Sequence, residues 1–303
     1  MNNPNSNSEP LVSVITLNYK NESITLDFLK SIHKITYPKI EVIVVDNSSA
    51  FYPEKLTSNY PKIKLIISKE NLGFAGGNNL GLNIANGELI LFINNDTEVE
   101  KDFLEPLVKR IQSDNNIALV SPKICFFHDK NVIQYAGFSD LKHFILRNKT
   151  IGLGQIDNGD FDQPTSTYFP HGAAMLTSRE KINVCGPMDD RFFLYYEEMD
   201  WGLRFRKAGY LIFYEPASKI YHKESLSTGQ NSPLKTYFLN RNRMFYLRKH
   251  FKGFQLNAGI IFLLFVVFPK NLLIFLLKIQ FKHAHSLIRA VNWNLINRKQ
   301  KFN

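Results

Sequence analysis

The sequence predicts an α/β protein built on a doubly wound, mostly parallel sheet, with a basic and apolar helical extension at its C-terminus. Three observations carry this. Short Val/Ile-rich runs alternate with helical periodicity over the first hundred residues, two of those runs end in acidic turns, and no Asp or Glu follows Glu224. The 303 residues, 44% hydrophobic and 21% charged, suit a large globular domain with an extension and exclude collagen-like or wholly disordered chains.

The elements follow in order. Residues 1–10 are rich in Asn and Ser without a basic-then-apolar pattern, so a disordered N-terminus on a cytoplasmic protein is expected. Residues 11–17, 40–45, 63–68 and 89–93 are apolar runs bounded by turn residues, as expected of strands buried on both faces of a parallel sheet. Between the first two, Ser23 can cap a helix presenting Ile24, Phe28, Ile32 and Ile35 on one side. A second helix is expected over residues 74–85, stopped near Gly87. Such a fold binds ligands at the carboxyl ends of its strands.

The strand ends exclude several chemistries. Asn18-Tyr19-Lys20-Asn21-Glu22 follows the first strand without the glycines of a dinucleotide loop, and no GxxxxGK[ST] segment occurs. Cys125 and Cys185 belong to no Cys/His cluster, which leaves a disulfide scaffold or zinc finger without its ligands. The second strand instead ends in Val45-Asp46-Asn47-Ser48-Ser49 and the fourth in Asn94-Asn95-Asp96-Thr97-Glu98. Paired acidic ends suit sugar or base hydroxyls and a hard divalent cation bridging phosphates, although each Asp alone also reads as a turn residue.

Charge is partitioned. Residues 225–303 hold thirteen Lys/Arg and no acid, whereas the first 224 hold 24 basic and 27 acidic residues. A near-neutral body with a basic tail is not a nucleic-acid-binding footprint. Within the tail, apolar residues 256–268 and 272–277 are separated by Pro269-Lys270-Asn271, which argues against a plain crossing and for two short helices dipping into one leaflet. Burial of both helices in the core is the alternative.

Six blocks in order resemble family 2 of the inverting glycosyltransferases, of GT-A (nucleotide-diphospho-sugar transferase) fold, and in particular its rhamnosyltransferase-like bacterial members. They are Val12-Ser-Val-Ile-Thr-Leu-Asn-Tyr19, Val44-Val-Asp-Asn-Ser48, Asn71-Leu-Gly-Phe-Ala-Gly-Gly-Asn-Asn-Leu-Gly81, Leu91-Phe-Ile-Asn-Asn-Asp-Thr-Glu98, Gly172-Ala-Ala-Met-Leu176 and Phe192-Phe-Leu-Tyr-Tyr-Glu-Glu-Met-Asp-Trp-Gly-Leu-Arg204. The resemblance implies a glycosyltransferase domain over residues 11–250 and a membrane-associating tail over 251–303. It implies transfer from a nucleotide-sugar donor to a glycan or lipid-linked acceptor in surface polysaccharide synthesis, at the cytoplasmic face of the membrane.

Carried over by position, Leu17, Asn18 and Asp46 would contact the donor nucleoside, and Asn78 and Asn79 its phosphates. Asn94-Asn95-Asp96 stands at the Asp-x-Asp motif, with Asn94 and Asn95 on the donor and Asp96 on a divalent metal, Mg²⁺ or Mn²⁺. Asn94 replaces the first Asp, which keeps open a non-catalytic, membrane-tethered nucleotide-sugar-binding partner as the second reading. Glu198 aligns with the general base and His222 with a second metal or phosphate ligand. The small polar residues 225–229 read as a loop closing over the diphosphate, and Arg241 and Arg243 either contact phosphate there or simply begin the basic tail. Trp201 is the acceptor-stacking candidate among an aromatic group that includes His171, Phe192, Phe193, Tyr195 and Tyr196. By charge pattern, Glu197, Glu198 and Asp200 also complement a helix N-terminus, with Asp200 and Arg204 as an i,i+4 pair.

Overall fold

The computed structural model describes residues 9–47, 52–141, 148–223 and 231–298. Ser48, Ser49 and residues 225–229 lie outside these, as does most of the N-terminal stretch. The first half alternates as expected: β1 (Val12–Asn18), α1 (Glu22–Ile32), β2 (Ile40–Asn47), α2 (Glu54–Asn59), β3 (Lys64–Ser68), α3 (Gly73–Leu82), β4 (Leu89–Ile93), β5 (Thr97–Val99) and α4 (Leu104–Gln112). There follow β6 (Ile117–Phe126), β7 (Ile133–Tyr135), β8 (Thr165–Ser166), β9 (Ala174–Ser178), α5 (Arg179–Cys185), α6 (Glu197–Lys207) and β10 (Leu211–His222). The C-terminal part is helical: α7 (Pro233–His250), α8 (Gly253–Phe262), α9 (Phe268–Leu277) and α10 (Phe281–Ile296).

The main sheet path runs β3-β2-β1-β4-β9-β6-β10-β5. Its first four strands are parallel, while β9 joins β4 and β6 antiparallel and β5 joins β10 antiparallel. The interior strands are apolar on both faces because helices cover both: Phe28, Leu29, Leu104 and Leu107 bury one face, and Ala75, Trp201 and Phe205 the other. β3 is the edge strand and departs from the fully buried expectation, since Ile67 is exposed. The α1 cap also differs: Asn21, not Ser23, accepts from the Ile24 N–H, and Ser23 hydrogen-bonds to Asn21 instead. Ile35 lies beyond the end of α1 but packs on the same core.

The tail departs from expectation in continuity. Residues Gly253–Leu277 form one 25-residue helix, long and apolar enough by length and composition to cross a membrane. Pro269 does not break it, because a π-helical turn over Leu263–Val267 loosens the backbone ladder just ahead of the proline. Only 17% of its most apolar window is buried, so the core-helix alternative does not hold for it.

α7 fastens the segment that launches α6. Phe193, Tyr195 and Tyr196 all have left-handed backbone (φ 65°, 67° and 76°), a conformation that costs side-chain-bearing residues of order 1–3 kcal/mol each. The fully buried Asn242 amide donates to the carbonyls of Phe192 (2.9 Å), Leu194 (2.8 Å) and Tyr195 (2.7 Å). Arg241 donates to the carbonyls of Arg191 and Phe192 at 2.7 and 2.6 Å, so it is a structural brace within the fold. One helical face further on, Lys249 bridges Asp189 and Asp200 at 2.6 Å each, and Arg204 meets Asp200 in the expected i,i+4 pair at 3.0 Å. Replacing Asn242→Ala removes the donor from three carbonyls at once. It is expected to cost about 1–3 kcal/mol in denaturant unfolding and to speed amide exchange across residues 193–196.

Candidate active site

A cavity of about 410 Å³ opens at the carboxyl ends of the parallel strands, of a size that accepts a nucleotide-scale ligand. Leu17 at the end of β1, Asn94, Asn95 and Asp96 after β4, and His222 at the end of β10 form one side. Glu197 and Glu198 at the start of α6 form the other, with Phe193 and Tyr195 beside them. Leu234 and Lys235 from the first turn of α7 complete the wall.

Asp96 and His222 face each other through orphaned atoms. His222 Nδ1 lies 2.9 Å from Gln134 Oε1, which assigns the proton to Nδ1 and leaves the Nε2 lone pair directed at Asp96 Oδ1, 3.1 Å away. Both atoms are buried and have no hydrogen-bond partner among the described residues. Two lone pairs so placed repel unless a proton or a cation lies between them. A divalent cation fits this pair: one carboxylate oxygen, one imidazole nitrogen oriented by an amide behind it, and space for phosphate oxygens and water. No group of three or more His, Cys, Asp or Glu that could hold a metal ion occurs among the described residues, so Asp96 and His222 alone would not complete a cation's coordination shell. The backbone fixes the geometry, since Thr97 pairs with His222 in the β5–β10 register and Lys223 N donates to Asp96 O at 2.9 Å. Asn94 is not needed as a carboxylate in this arrangement; its N–H donates to Ala173 O.

Beneath the cavity a hydrogen-bond chain joins Asn95 to Thr25 (2.8 Å), Thr25 to Asn18 (2.7 Å) and Asn18 to Asp46 (2.6 Å). Asn18 and Asp46 are buried and absent from the cavity wall, so they support its floor; Asn47, next in the same motif, lines it. Asn78 and Asn79 are also off the wall. Their amides donate to Phe74 O and Met188 O, because α3 presents its first residues, Gly73 and Phe74, to the cavity and the next turns to the core. Trp201 is corrected as well: it is fully buried, its Nε1 donates to Gly186 O, and it packs edge-on to Phe92.

Burial raises both acidic side chains of α6. Glu197 is pushed well above the ordinary carboxylate range by desolvation and then by the charge of Glu198. Glu198 is raised by desolvation, opposed by backbone N–H groups at the helix start. The deeper Glu197 is therefore the first of the two to hold a proton, leaving Glu198 as the anion. His171, weighed in the sequence only as one of several aromatics, lines the cavity with Nδ1 accepting from Ala173 N–H at 3.1 Å. Burial, with His222 nearby, pulls its pKa down to about 3, so it is a neutral ring bearing its proton on Nε2. Asn71, the first residue of a quoted block but given no role there, also lines the cavity, as do Gln134 and Phe138, which lie in no motif and are found only by their contacts.

The matched family model, Glycosyl transferase family 2, covers residues 13–185. Glu198, His222 and α7 lie beyond that span. The chain is 29% identical over 200 residues to the low-salt glycan biosynthesis hexosyltransferase Agl10 of Haloferax volcanii, which covers 65% of this chain and 62% of that protein. It is 27% identical over 220 residues to the dTDP-rhamnosyl transferase RfbF of Shigella flexneri, covering 69% of this chain and 71% of the relative. Among solved structures, the mannosyltransferase PcManGT of Pyrobaculum calidifontis in complex with GDP-Man and Mn²⁺ superposes with a TM-score of 0.58 at 16% identity, over 95% of this chain and 88% of that one. GalNAc-T7 with UDP, GalNAc and Mn²⁺ gives a TM-score of 0.63 at 17% identity, over 80% of this chain and 51% of that one. Those two structures share the GT-A fold with this chain, and the family match spans more than half of its length. The chain belongs to glycosyl transferase family 2.

Proposed function

We propose that the protein is an inverting glycosyltransferase. It moves a hexosyl or deoxyhexosyl unit, as a rhamnosyltransferase does, from a nucleoside-diphosphate sugar to a hydroxyl of a glycan or lipid-linked acceptor. Its setting would be surface polysaccharide assembly at the cytoplasmic face of the membrane. The observation that carries this is the joint presence, on one cavity, of the Asp96–His222 pair and the buried Glu197–Glu198 carboxyls.

In this reading Asp96 Oδ1 and His222 Nε2 would hold Mg²⁺ or Mn²⁺, which would supply positive charge to stabilise the departing nucleoside diphosphate. Leu17, Asn47, Asn94 and Asn95 contact the donor above a floor supported by Asn18 and Asp46. Glu198 takes the proton of the acceptor hydroxyl as its oxygen attacks the anomeric carbon from the face opposite the leaving group. The bond to the acceptor oxygen forms, the bond to the diphosphate breaks, and the proton ends on Glu198. His171, unable to charge at neutral pH, offers an N–H to a sugar or phosphate oxygen without adding a cation.

Three measurements test the assignment. Glu198→Gln is expected to lower turnover by about 10²–10⁴-fold while donor binding, measured by calorimetry, is nearly kept; retained turnover removes Glu198 as base. Because the base works only when deprotonated and burial raises its pKa, activity should fall as pH drops through a midpoint above the 4.5 of an ordinary Glu. A midpoint at or below 4.5 contradicts the assignment. Gln134→Leu removes the acceptor that orients His222 and should weaken Mn²⁺ binding, titrated with UDP, GDP or dTDP present, by about 10–100-fold. Unchanged affinity would place the cation elsewhere.

A further inference from the structure

The helix Gly253–Leu277 carries two apolar faces, and among the described residues only one is packed against the rest of the protein. Gly259, Leu263 and Phe268 turn inward, where they meet Leu247 and Met244 of α7 and Leu287 of α10. Phe254, Ile261, Phe265, Leu273 and Leu277 recur at helical spacing on the opposite side; Phe254 is 78% exposed, and Phe265 and Leu277 are each 74% exposed. This bare face is about 37 Å long at 1.5 Å per residue. Lys252, Lys270, Lys278, Lys282 and Arg289 on the same helical unit are exposed, and residues 225–303 contain no Asp or Glu. An exposed apolar strip bordered by cations without an opposing acid is complementary to an anionic lipid surface.

The packing also fixes how the strip can meet a bilayer. A helix that crosses the membrane has hydrocarbon or apolar protein on all sides. This one is bound along its length to α7 and α10, whose contacting faces carry Arg241, Arg248 and Asn294. Arg248 donates to Asn294 and Asn297, and Asn294 to Arg241 O. A crossing would instead carry exposed cations of the same unit, Lys270 in mid-helix and Arg289 on α10, into hydrocarbon. The direction of the bundle is equally informative. Gly259 lies against Leu247 near the C-terminal end of α7, whereas the α9–α10 corner returns to its start. There His283 Nδ1 lies 2.8 Å from Thr236 Oγ1 and 5.4 Å, ring to ring, from Phe275. Leu234 and Lys235, the two residues before Thr236 on α7, form part of the cavity wall.

We propose that Gly253–Leu277 lies in the plane of an anionic monolayer, bare face down, and that its α9–α10 corner seats the cavity mouth at the lipid surface. The acceptor then reaches Glu198 from the bilayer side, past Leu234 and Lys235. The orientation toward the acceptor rests on the proposed transferase reading; the in-plane docking does not.

The full-length protein is mixed with sealed vesicles of phosphatidylcholine alone or of phosphatidylcholine with three-tenths phosphatidylglycerol, and then floated. Flotation is expected with the anionic vesicles and is expected to drop by about tenfold or more for Leu273→Ser combined with Leu277→Ser. Both substituted positions are exposed, so donor hydrolysis and near-ultraviolet circular dichroism should be unchanged. Equal flotation of wild type and double variant overturns the proposal. So does a lipid-independent dimer that the double variant converts to monomer, since the strip would then cover a second copy. Lys252→Cys and Lys278→Cys, each in a Cys185→Ser background, are next treated with a membrane-impermeant thiol reagent. Labelling of both supports one-sided docking; labelling of only one means the helix crosses, which also overturns it. Loss of transferase activity with intact flotation and labelling would overturn the catalytic reading alone.

Discussion

The geometry of the cavity depends on three carbonyl oxygens gathered by the amide of one buried asparagine. Phe193, Tyr195 and Tyr196 would relax from left-handed backbone if nothing opposed them, and relaxation would swing the first turn of α6 with its two carboxyls. Asn242 opposes it from behind, Arg241 grips the preceding carbonyls, and Gly73 lets α3 approach so closely that Phe74 N donates to Phe193 O at 2.6 Å. A Cβ at Gly73 would stand 2.2 Å from that same oxygen, so the approach itself requires glycine as much as its φ of 69° does. Strain of this kind persists only where surrounding contacts over-determine it.

The electrostatics are arranged around that fixed turn. Burial makes ionisation of the α6 carboxyls costly, and the cost is uneven because Glu197 is the deeper of the two. Two adjacent groups with unequal burial are thereby driven toward different protonation states, which is how one fold keeps a base available beside a neutral neighbour. Asp200, only two residues on, behaves oppositely. Burial alone would raise it, but its hydrogen bond to His250 and the charges of Lys249 and Arg204 outweigh that and hold it ionised. The cavity-lining and the structural carboxylates of α6 thus differ in what surrounds them, not in kind.

Much of the fold was legible because it depends on local pattern. β1, β2 and β4 are Val/Ile runs that need burial on both faces, and Asp96 and His222 stand at strand ends where chain direction brings them together. The illegible parts are those set by packing across distance. Trp201 reads in sequence like an exposed stacking platform, yet α6 turns it against Phe92 in the core. Asn78 and Asn79 sit in a block matching the family but one turn too far along α3 to reach the cavity. Arg241 looks like a phosphate contact until Phe192 and Arg191 are seen to occupy it. Pro269 reads as a break because the π-turn ahead of it has no sequence signature.

The placement of Asn242 also bears on modularity. The segment shared with the family model ends at residue 185, but the brace for the α6 turn arrives more than fifty residues later, on a helix whose other side supports the bare apolar strip. The matched segment holds Asp96, whereas His222, the α6 turn and its brace all come from later in the chain, so the poise of Glu197 and Glu198 is inherited from the C-terminal part. A substitution at Asn242 would therefore act on the α6 carboxyls without touching a residue that lines the cavity.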